Sequence, residues 1–404
     1  MNVASLPFIA RRRYGAPAPA VVAPAVRAGD RTPRRIVILS VSAGAGHVRA
    51  AQAIHAAALA RGLDAIHLDL MDLVPSGYRK LYTEAYLALV ARCPRLWGWI
   101  YDAANRSAPD TRAQRIRRSL ERRLTRRARA LLETLGPDAI VCTHFLPAEM
   151  LAWSRPACPV WVQVTDYDLH RAWVQPGMAG YFAASEEVAF LMRAGGIPED
   201  AIRVTGIPLM PAFSQRFDRE RCARDLGLDP RLPTVLLMGG GGGLGGLDAC
   251  AARLLAASPR FQLVVLAGRN ERALHALRLL AADHPGRLFP LPFTGQVERV
   301  MACADLAITK PGGLTVSECL AQGLPMILHA PIPGQEDRNA EYLLEQGVAM
   351  KAASPAAIEY RLRTLLEQPG LLARMSRRAR EVARPDAARD VIDALLQGHA
   401  DHAR

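Results

Sequence analysis

Arg35-Ile-Val-Ile-Leu-Ser-Val-Ser-Ala-Gly-Ala-Gly-His47 is the stretch on which the fold of this chain turns. Its first eight residues, Arg35 to Ser42, form a short β-branched run of the kind buried inside a parallel sheet. A glycine turn, Ala43-Gly-Ala-Gly-His47, follows, and then an alanine-rich helix is expected from about Val48 to Arg61. Ala65-Ile-His-Leu-Asp69 reads as the next strand. Strand, glycine loop, helix and strand in that order open a doubly wound α/β sheet.

Working outward, further strands are expected at Ala139–Cys142, Val160–Val164, Gly180–Ala184 and Ile202–Val204. Gly206-Ile-Pro-Leu-Met-Pro211 is punctuated by proline and suits a hinge. The pattern then restarts with a strand at Thr234–Met238, a glycine loop at Gly239–Gly246 and a helix. Strands at Gln262–Ala267, Leu306–Thr309 and Pro325–Leu328 follow, and the last forty residues look helical. Two consecutive α/β units imply two Rossmann-like domains facing a cleft, over 34–208 and 209–404. Residues 1–33, rich in Pro, Ala and Arg and without periodicity, are read as an unfolded basic leader.

The 404 residues carry a net charge of +13, almost all from arginine, since lysine occurs only at Lys80, Lys310 and Lys351. Such an excess implies an anionic partner: nucleic acid, a phosphate-bearing ligand or an anionic membrane. The seven cysteines are scattered and form no CxxC pair, which points away from a disulfide framework or zinc site and towards a reducing cytosol. No run of about 18 apolar residues is present to span a bilayer. Arg11, Arg12 and Arg13 come after the short apolar start, the reverse of a signal peptide, so a basic leader touching membrane is the better reading.

Two segments suit a membrane surface. From Tyr78 to Ala104 apolar and aromatic residues recur at helical spacing, broken at Cys93-Pro94, and include Trp97, Trp99 and Tyr101. Between Thr111 and Ala130 lie nine arginines and one glutamate. A buried aromatic helix and an ordinary solvated face are the alternatives.

The loop Gly239-Gly-Gly-Gly-Gly-Leu-Gly-Gly246 lets backbone N–H groups approach a phosphate at a helix N-terminus, the alternative being a flexible turn. No Lys-Ser/Thr follows, so it is not an ATP-hydrolysing P-loop. In Thr309-Lys-Pro-Gly-Gly-Leu-Thr315 a strand end, Lys310, Gly312, Gly313 and the Thr315 hydroxyl converge on a second helix start. Glu318, one turn in, can accept bonds from two ribose hydroxyls, or be an exposed helix glutamate. Gln335, Glu336 and Asn339 suit sugar hydroxyls, or a solvated loop. His47, where a helix follows the first glycine turn, can deprotonate a hydroxyl nucleophile, with the helix dipole lowering its pKa; a structural histidine is the alternative.

These pieces in this order resemble the monogalactosyldiacylglycerol synthase and processive diacylglycerol glucosyltransferase family, a relative of the lipid-linked N-acetylglucosaminyltransferase of peptidoglycan synthesis. The resemblance runs from about Arg35 to Arg380. It is carried by Ser42–His47, Arg95–Tyr101, Thr143-His144, Val164–Trp173, Val204–Pro208, Leu237–Gly241, Thr309–Gly313 and Pro333–Glu336 with Asn339. It implies a GT-B fold and an inverting, metal-independent transfer of a hexose from a UDP-sugar to a lipid acceptor, with diacylglycerol the expected one.

No cofactor and no metal are expected, the UDP-sugar being a substrate. By the resemblance His47 is the catalytic base, and Gly240, Gly241 and Gly243 hold the diphosphate. Glu318 holds the ribose, Gln335, Glu336 and Asn339 the donor sugar, and Phe293-Thr294 the uracil. Gly46, His170 and Trp173 fall on the acceptor side. The first loop departs from the family's usual Gly-Gly-Gly-His, and Gly242 stands where plant members carry an acid.

The expected place is the cytoplasm, peripheral to the inner face of an anionic membrane. A UDP-N-acetylglucosamine 2-epimerase would share two facing Rossmann-like domains but needs no lipid acceptor. A nucleic-acid binder would explain the charge but neither the glycine loops nor His47, so no nucleic-acid partner is expected.

Overall fold

The computed structural model describes residues 35–106, 123–239, 246–257 and 261–401. The leader, the arginines before Arg123, and Gly240, Gly241 and Gly243 lie outside the described residues.

The first lobe is built on a six-stranded parallel sheet of order β2-β1-β3-β4-β5-β6. Its strands are β1 (Arg35–Ser40), β2 (Asp64–Asp69), β3 (Ala139–Cys142), β4 (Val160–Gln163), β5 (Gly180–Ala183) and β6 (Ile202–Val204). The second sheet, also parallel, has the order β12-β11-β10-β7-β8-β9. It comprises β7 (Thr234–Met238), β8 (Gln262–Gly268), β9 (Leu288–Pro292), β10 (Leu306–Thr309), β11 (Met326–His329) and β12 (Ala349–Ala352). Two parallel six-stranded sheets, each covered by helices, make the GT-B architecture.

Each sheet reverses its winding once, between β1 and β3 in the first and between β7 and β10 in the second. In doubly wound sheets ligands bind in the crevice beyond the carboxyl ends of the strands at such a reversal. The residues following β1 and β3 are therefore expected to face those following β7 and β10 across one cleft.

Three helices at the front of the first lobe matter for the site: α1 (Ala45–Ala60), α2 (Ser76–Arg92) and α3 (Pro94–Arg106). Pro94, lacking an N–H, separates α2 from α3 and opens the latter, where its fixed φ costs nothing. In the second lobe α11 (Gly313–Ala321) follows β10 and α12 (Gln335–Glu345) follows β11, numbering helices in chain order after α4 (Arg126–Leu135), α5 (Phe145–Ser154), α6 (Glu186–Ala194), α7 (Arg219–Asp225), α8 (Leu247–Ala257), α9 (Glu271–Ala282) and α10 (Val297–Cys303).

The last helix, α15 (Ala387–Asp401), comes after α13 (Pro355–Glu367) and α14 (Pro369–Val382) and crosses back to the first lobe. Val391, Ile392 and Leu395 are fully buried there against Ile36, Ile38, Ile54 and Phe182. The sequence assigned everything after residue 208 to the second domain; packing assigns this helix to the first. Fully burying each such side chain is worth about 1.5–3 kcal/mol.

Candidate active site

His47 sits in the first turn of α1. Its Nδ1 lies 2.9 Å from the carbonyl oxygen of Thr143, just beyond β3, and 3.0 Å from the hydroxyl of Thr165, just beyond β4. The Thr143 hydroxyl in turn donates to the His47 carbonyl at 2.9 Å. A carbonyl only accepts, so Nδ1 carries the proton and Nε2 keeps its lone pair. Among the described residues Nε2 has no hydrogen-bond partner. Burial pushes the imidazole down to about 4, with the Thr143 bond opposing it. Burial, rather than the helix terminus, is thus the largest cause of the lowered pKa.

Behind the ring lie His144, edge-on at 4.6 Å, and the buried Trp173 at 6.1 Å between centroids. His144 caps α5, accepting from the Leu146 N–H at 3.0 Å, which occupies its Nδ1. Trp173 supports the His47 ring from within the core. His170 accepts from the Ala172 N–H through Nδ1 and donates through Nε2 to the Tyr101 carbonyl at 3.3 Å, its ring tilted against that of Tyr101 at 4.3 Å between centroids. It fixes α3 to the lobe. The described contacts of both residues are thus with protein groups of the first lobe.

Across the cleft, Gly46 faces Leu314, at whose Cβ a methyl on the glycine would stand 3.7 Å away. Gly313 comes closer still: a Cβ there would fall inside the van der Waals radius of the Thr165 carbonyl oxygen. Neither Gly312 at the start of α11 nor Gly334 at the start of α12 provides a side-chain cap, so both helices point unpaired N–H groups towards the cleft. Such ends attract phosphate and other anions. Lys310 adds a cation, partly exposed; burial raises the Glu336 carboxyl, and the Ile332 N–H and the Lys310 ammonium partly oppose that rise.

Glu318 is buried, one turn into α11. Burial raises its carboxyl to about 7, countered by the Arg49 guanidinium of α1 and reinforced by Glu298. Among the described residues its carboxylate receives no hydrogen bond, a state that two ligand hydroxyls would relieve. Thr315 and Gln335 are partly exposed at the same helix starts. Glu336 is buried and accepts from the Ile332 N–H at 2.6 Å. Beyond β9, Phe293 is 61% exposed with the Arg269 guanidinium 5.0 Å above its ring, and Thr294 accepts from the Gln296 N–H. An exposed aromatic backed by a cation is a surface on which a nucleobase stacks.

Asn339 differs from the expectation. It is fully buried, its Oδ1 accepting from the Tyr167 N–H at 2.7 Å and its Nδ2 donating to Asp166 and to the Pro311 carbonyl. The sequence pattern alone assigns no task to Thr143, Thr165, Asp166 or Tyr167. Nothing in local pattern marks a threonine that orients a histidine 118 positions away.

Of the three aromatics expected to dock, Trp99 is 65% exposed, whereas Trp97 and Tyr101 are partly buried. Gly334, at φ +94°, lies against Tyr101, whose Cδ1 would be 2.6 Å from any Cβ added there. Leu96, Trp99 and Ile100 instead share one exposed face of α3, with Leu81 exposed on α2 and Arg92 and Arg95 beside them. Next to the His47 loop, a cavity of about 400 Å³ is lined by Ser42, Ser76, Arg79, Lys80 and Thr83. No described helix is long and apolar enough to cross a membrane.

Residues 47–209 match the profile of the monogalactosyldiacylglycerol (MGDG) synthase family, and residues 249–382 that of glycosyl transferases group 1. A processive diacylglycerol beta-glucosyltransferase of Staphylococcus saprophyticus is 30% identical over 356 residues, covering 85% of this chain and 87% of that one. Its counterpart in Staphylococcus carnosus is 32% identical over 249 residues, 61% of this chain and 63% of its own length. Among solved structures, MurG of Acinetobacter baumannii superposes with a TM-score of 0.59 at 18% identity, over 90% of this chain and 99% of that one. A UDP-GlcNAc 2-epimerase of Neisseria meningitidis gives 0.57 at 12%, over 90% and 100%. At such identities the likeness to these two structures shows the fold alone.

Proposed function

This chain belongs to the monogalactosyldiacylglycerol synthase and processive diacylglycerol glucosyltransferase family, and from that premise we propose that it transfers a hexose from a UDP-sugar to diacylglycerol with inversion at the anomeric carbon. The observation that carries the reading is His47, its Nδ1 engaged by the Thr143 carbonyl and its Nε2 without a partner among the described residues, beside Gly46, which faces Leu314 at the uncapped start of α11. An imidazole held neutral accepts the proton of an acceptor hydroxyl as that oxygen attacks, and the diphosphate leaves from the opposite side. One displacement inverts the carbon. The developing charge on the diphosphate meets backbone N–H groups of α11 and the Lys310 ammonium. Those groups support a transfer that needs no resident metal. Glu318 takes the ribose hydroxyls, Phe293 and Thr294 the uracil, and Gln335 and Glu336 the sugar.

The acceptor is insoluble, so the chain must meet a bilayer. The Leu96–Trp99–Ile100 face, flanked by Arg92 and Arg95, supports peripheral docking on an anionic cytoplasmic leaflet. The adjoining hydroxyl-and-cation-lined cavity offers polar groups for the acceptor's head.

Vesicles of diacylglycerol and anionic phospholipid, incubated with a panel of UDP-sugars, test the reading. A β-linked glycosyl diacylglycerol formed with chelator present is the expected product. Epimerised UDP-sugar formed without lipid would replace this reading with the isomerase one.

A further inference from the structure

Three consecutive residues of the first lobe bind both the base and the opposite lobe. Thr165 places its hydroxyl 3.0 Å from His47 Nδ1. Asp166 and Tyr167 are held by Asn339, whose amide has a single allowed orientation: Oδ1 must face the Tyr167 N–H, and Nδ2 must face the Pro311 carbonyl. The Tyr167 hydroxyl lies 2.8 Å from Ser317 Oγ, and Ser317 donates onward to the Gly313 carbonyl at 2.7 Å, so the tyrosine is the donor. The Tyr167 ring stacks on Tyr342 of α12, 4.5 Å apart and 9° from parallel. The bonds of Asn339 to Asp166 and Tyr167, the Tyr167–Ser317 bond and the Tyr167–Tyr342 stack all cross between lobes, and the other end of the clasp is the group that fixes the imidazole.

We propose that Asn339 is a positioning residue for the base: by clasping Asp166 and Tyr167 it sets the register of Thr165, so that His47 is held in its working orientation only when the two lobes are together. The inference rests on the reading of His47 as the base. It separates Asn339 from its neighbours Gln335 and Glu336, since both of its N–H groups already serve the protein. The second lobe, which takes the donor, thereby prepares the group on the first lobe that activates the acceptor.

The test is steady-state kinetics of Asn339→Asp and Tyr167→Phe in the full chain on diacylglycerol vesicles. The introduced carboxylate keeps the bond from Tyr167 N–H but repels Asp166, whose carboxyl burial already raises to about 6. Asp168 and His170 of the same loop, Tyr101 of α3 and Glu336 of α12 also face it. Two facing carboxylates share one proton once the pH falls far enough, so the clasp re-forms in acid. For Asn339→Asp, kcat is expected to fall about a hundred-fold at about pH 8 and to recover several-fold by about pH 6, with donor KM within about three-fold of wild type.

Tyr167→Phe, which keeps the stack and loses one bond, should lower kcat about ten-fold and move the acid limb of its profile up towards a free imidazole. A raised donor KM with unchanged kcat and acid limb in both variants would overturn the proposal and return Asn339 to the sugar pocket. Full activity in His47→Ala would instead overturn the base assignment itself. The two failures are therefore distinct.

Discussion

His47 Nδ1 lies 2.9 Å from the Thr143 carbonyl oxygen, and this one contact decides which nitrogen of the ring can do chemistry. It joins the loop after β1 to the loop after β3, the two strand ends flanking the winding reversal of the first sheet. The helix that carries the imidazole and the carbonyl that fixes its tautomer are thus both consequences of strand order.

The base should therefore work unusually far into acid. With its pKa pushed down to about 4, the imidazole is neutral across the whole range above that value. At saturating donor, kcat should stay flat down to about pH 5, where an ordinary imidazole of pKa about 6.5 would already be protonated. The linked stability has the same sign: the fold prefers the neutral ring, so stability falls as pH drops below about 6.5 and levels off near 4. His47→Ala should cost about 10²–10⁴ in kcat and leave UDP binding by calorimetry nearly intact. A profile bending at the ordinary imidazole value would place the ring in water instead.

Glu318 sets function against stability. Its carboxyl, raised from 4.5 to about 7, ionises at a cost that grows as pH rises through that window and is complete above it. The shift corresponds to about 3 kcal/mol in the unliganded protein. Glu318→Gln should accordingly raise the melting temperature near neutral to alkaline pH and have little effect at about pH 4. The same change should weaken UDP about ten-fold or more, since the amide lacks the charge that holds two hydroxyls. Higher stability with undiminished UDP affinity would remove Glu318 from the ribose site.

Much of the fold was legible because parallel strands buried on both faces leave dense apolar runs. The strands at 139–142, 202–204, 234–238 and 306–309 fall at the expected residues. The two that escaped notice, Leu288–Pro292 and Ala349–Ala352, are the edges of the second sheet. There two prolines can sit without breaking a ladder, and a four-residue strand with a lysine needs little apolar signal. At the site, the His47 turn and the Lys310–Thr315 turn were visible as motifs. Residues that act on His47 from 96 and 118 positions away were not, because their meaning is created by strand order.

Membrane association should depend on the exposed face of α3 and not on its buried one. Trp99→Ala and Leu96→Ser each remove apolar surface that faces solvent, so the fold should tolerate them within about 0.5 kcal/mol. Both should reduce sedimentation with anionic vesicles, and added salt should reduce it further by screening Arg92 and Arg95. Activity on a short-chain soluble diacylglycerol should be retained. Equal loss on vesicles and on the soluble acceptor would mean that Trp99 serves the site rather than the surface.

The close approach of the lobes at Gly313 gives a paired prediction. A methyl group on Gly313 has no room between the Thr165 carbonyl and the Ile207 side chain, whereas one on Gly312 would meet only Glu336 Oε1, at an ordinary 3.7 Å. Gly313→Ala must therefore push α11 away from the loop that carries Thr165. Overpacking against backbone costs about 1–3 kcal/mol, which lowers the melting temperature of a chain this size by several degrees. Gly312→Ala should melt close to wild type. Because moving α11 also draws Ser317 away from Tyr167 and strains the loop that carries Thr165, its kcat should fall more than its stability does. If both variants melt and turn over alike, the lobes in solution stand further apart at this point than the contact between Gly313 and Thr165 requires.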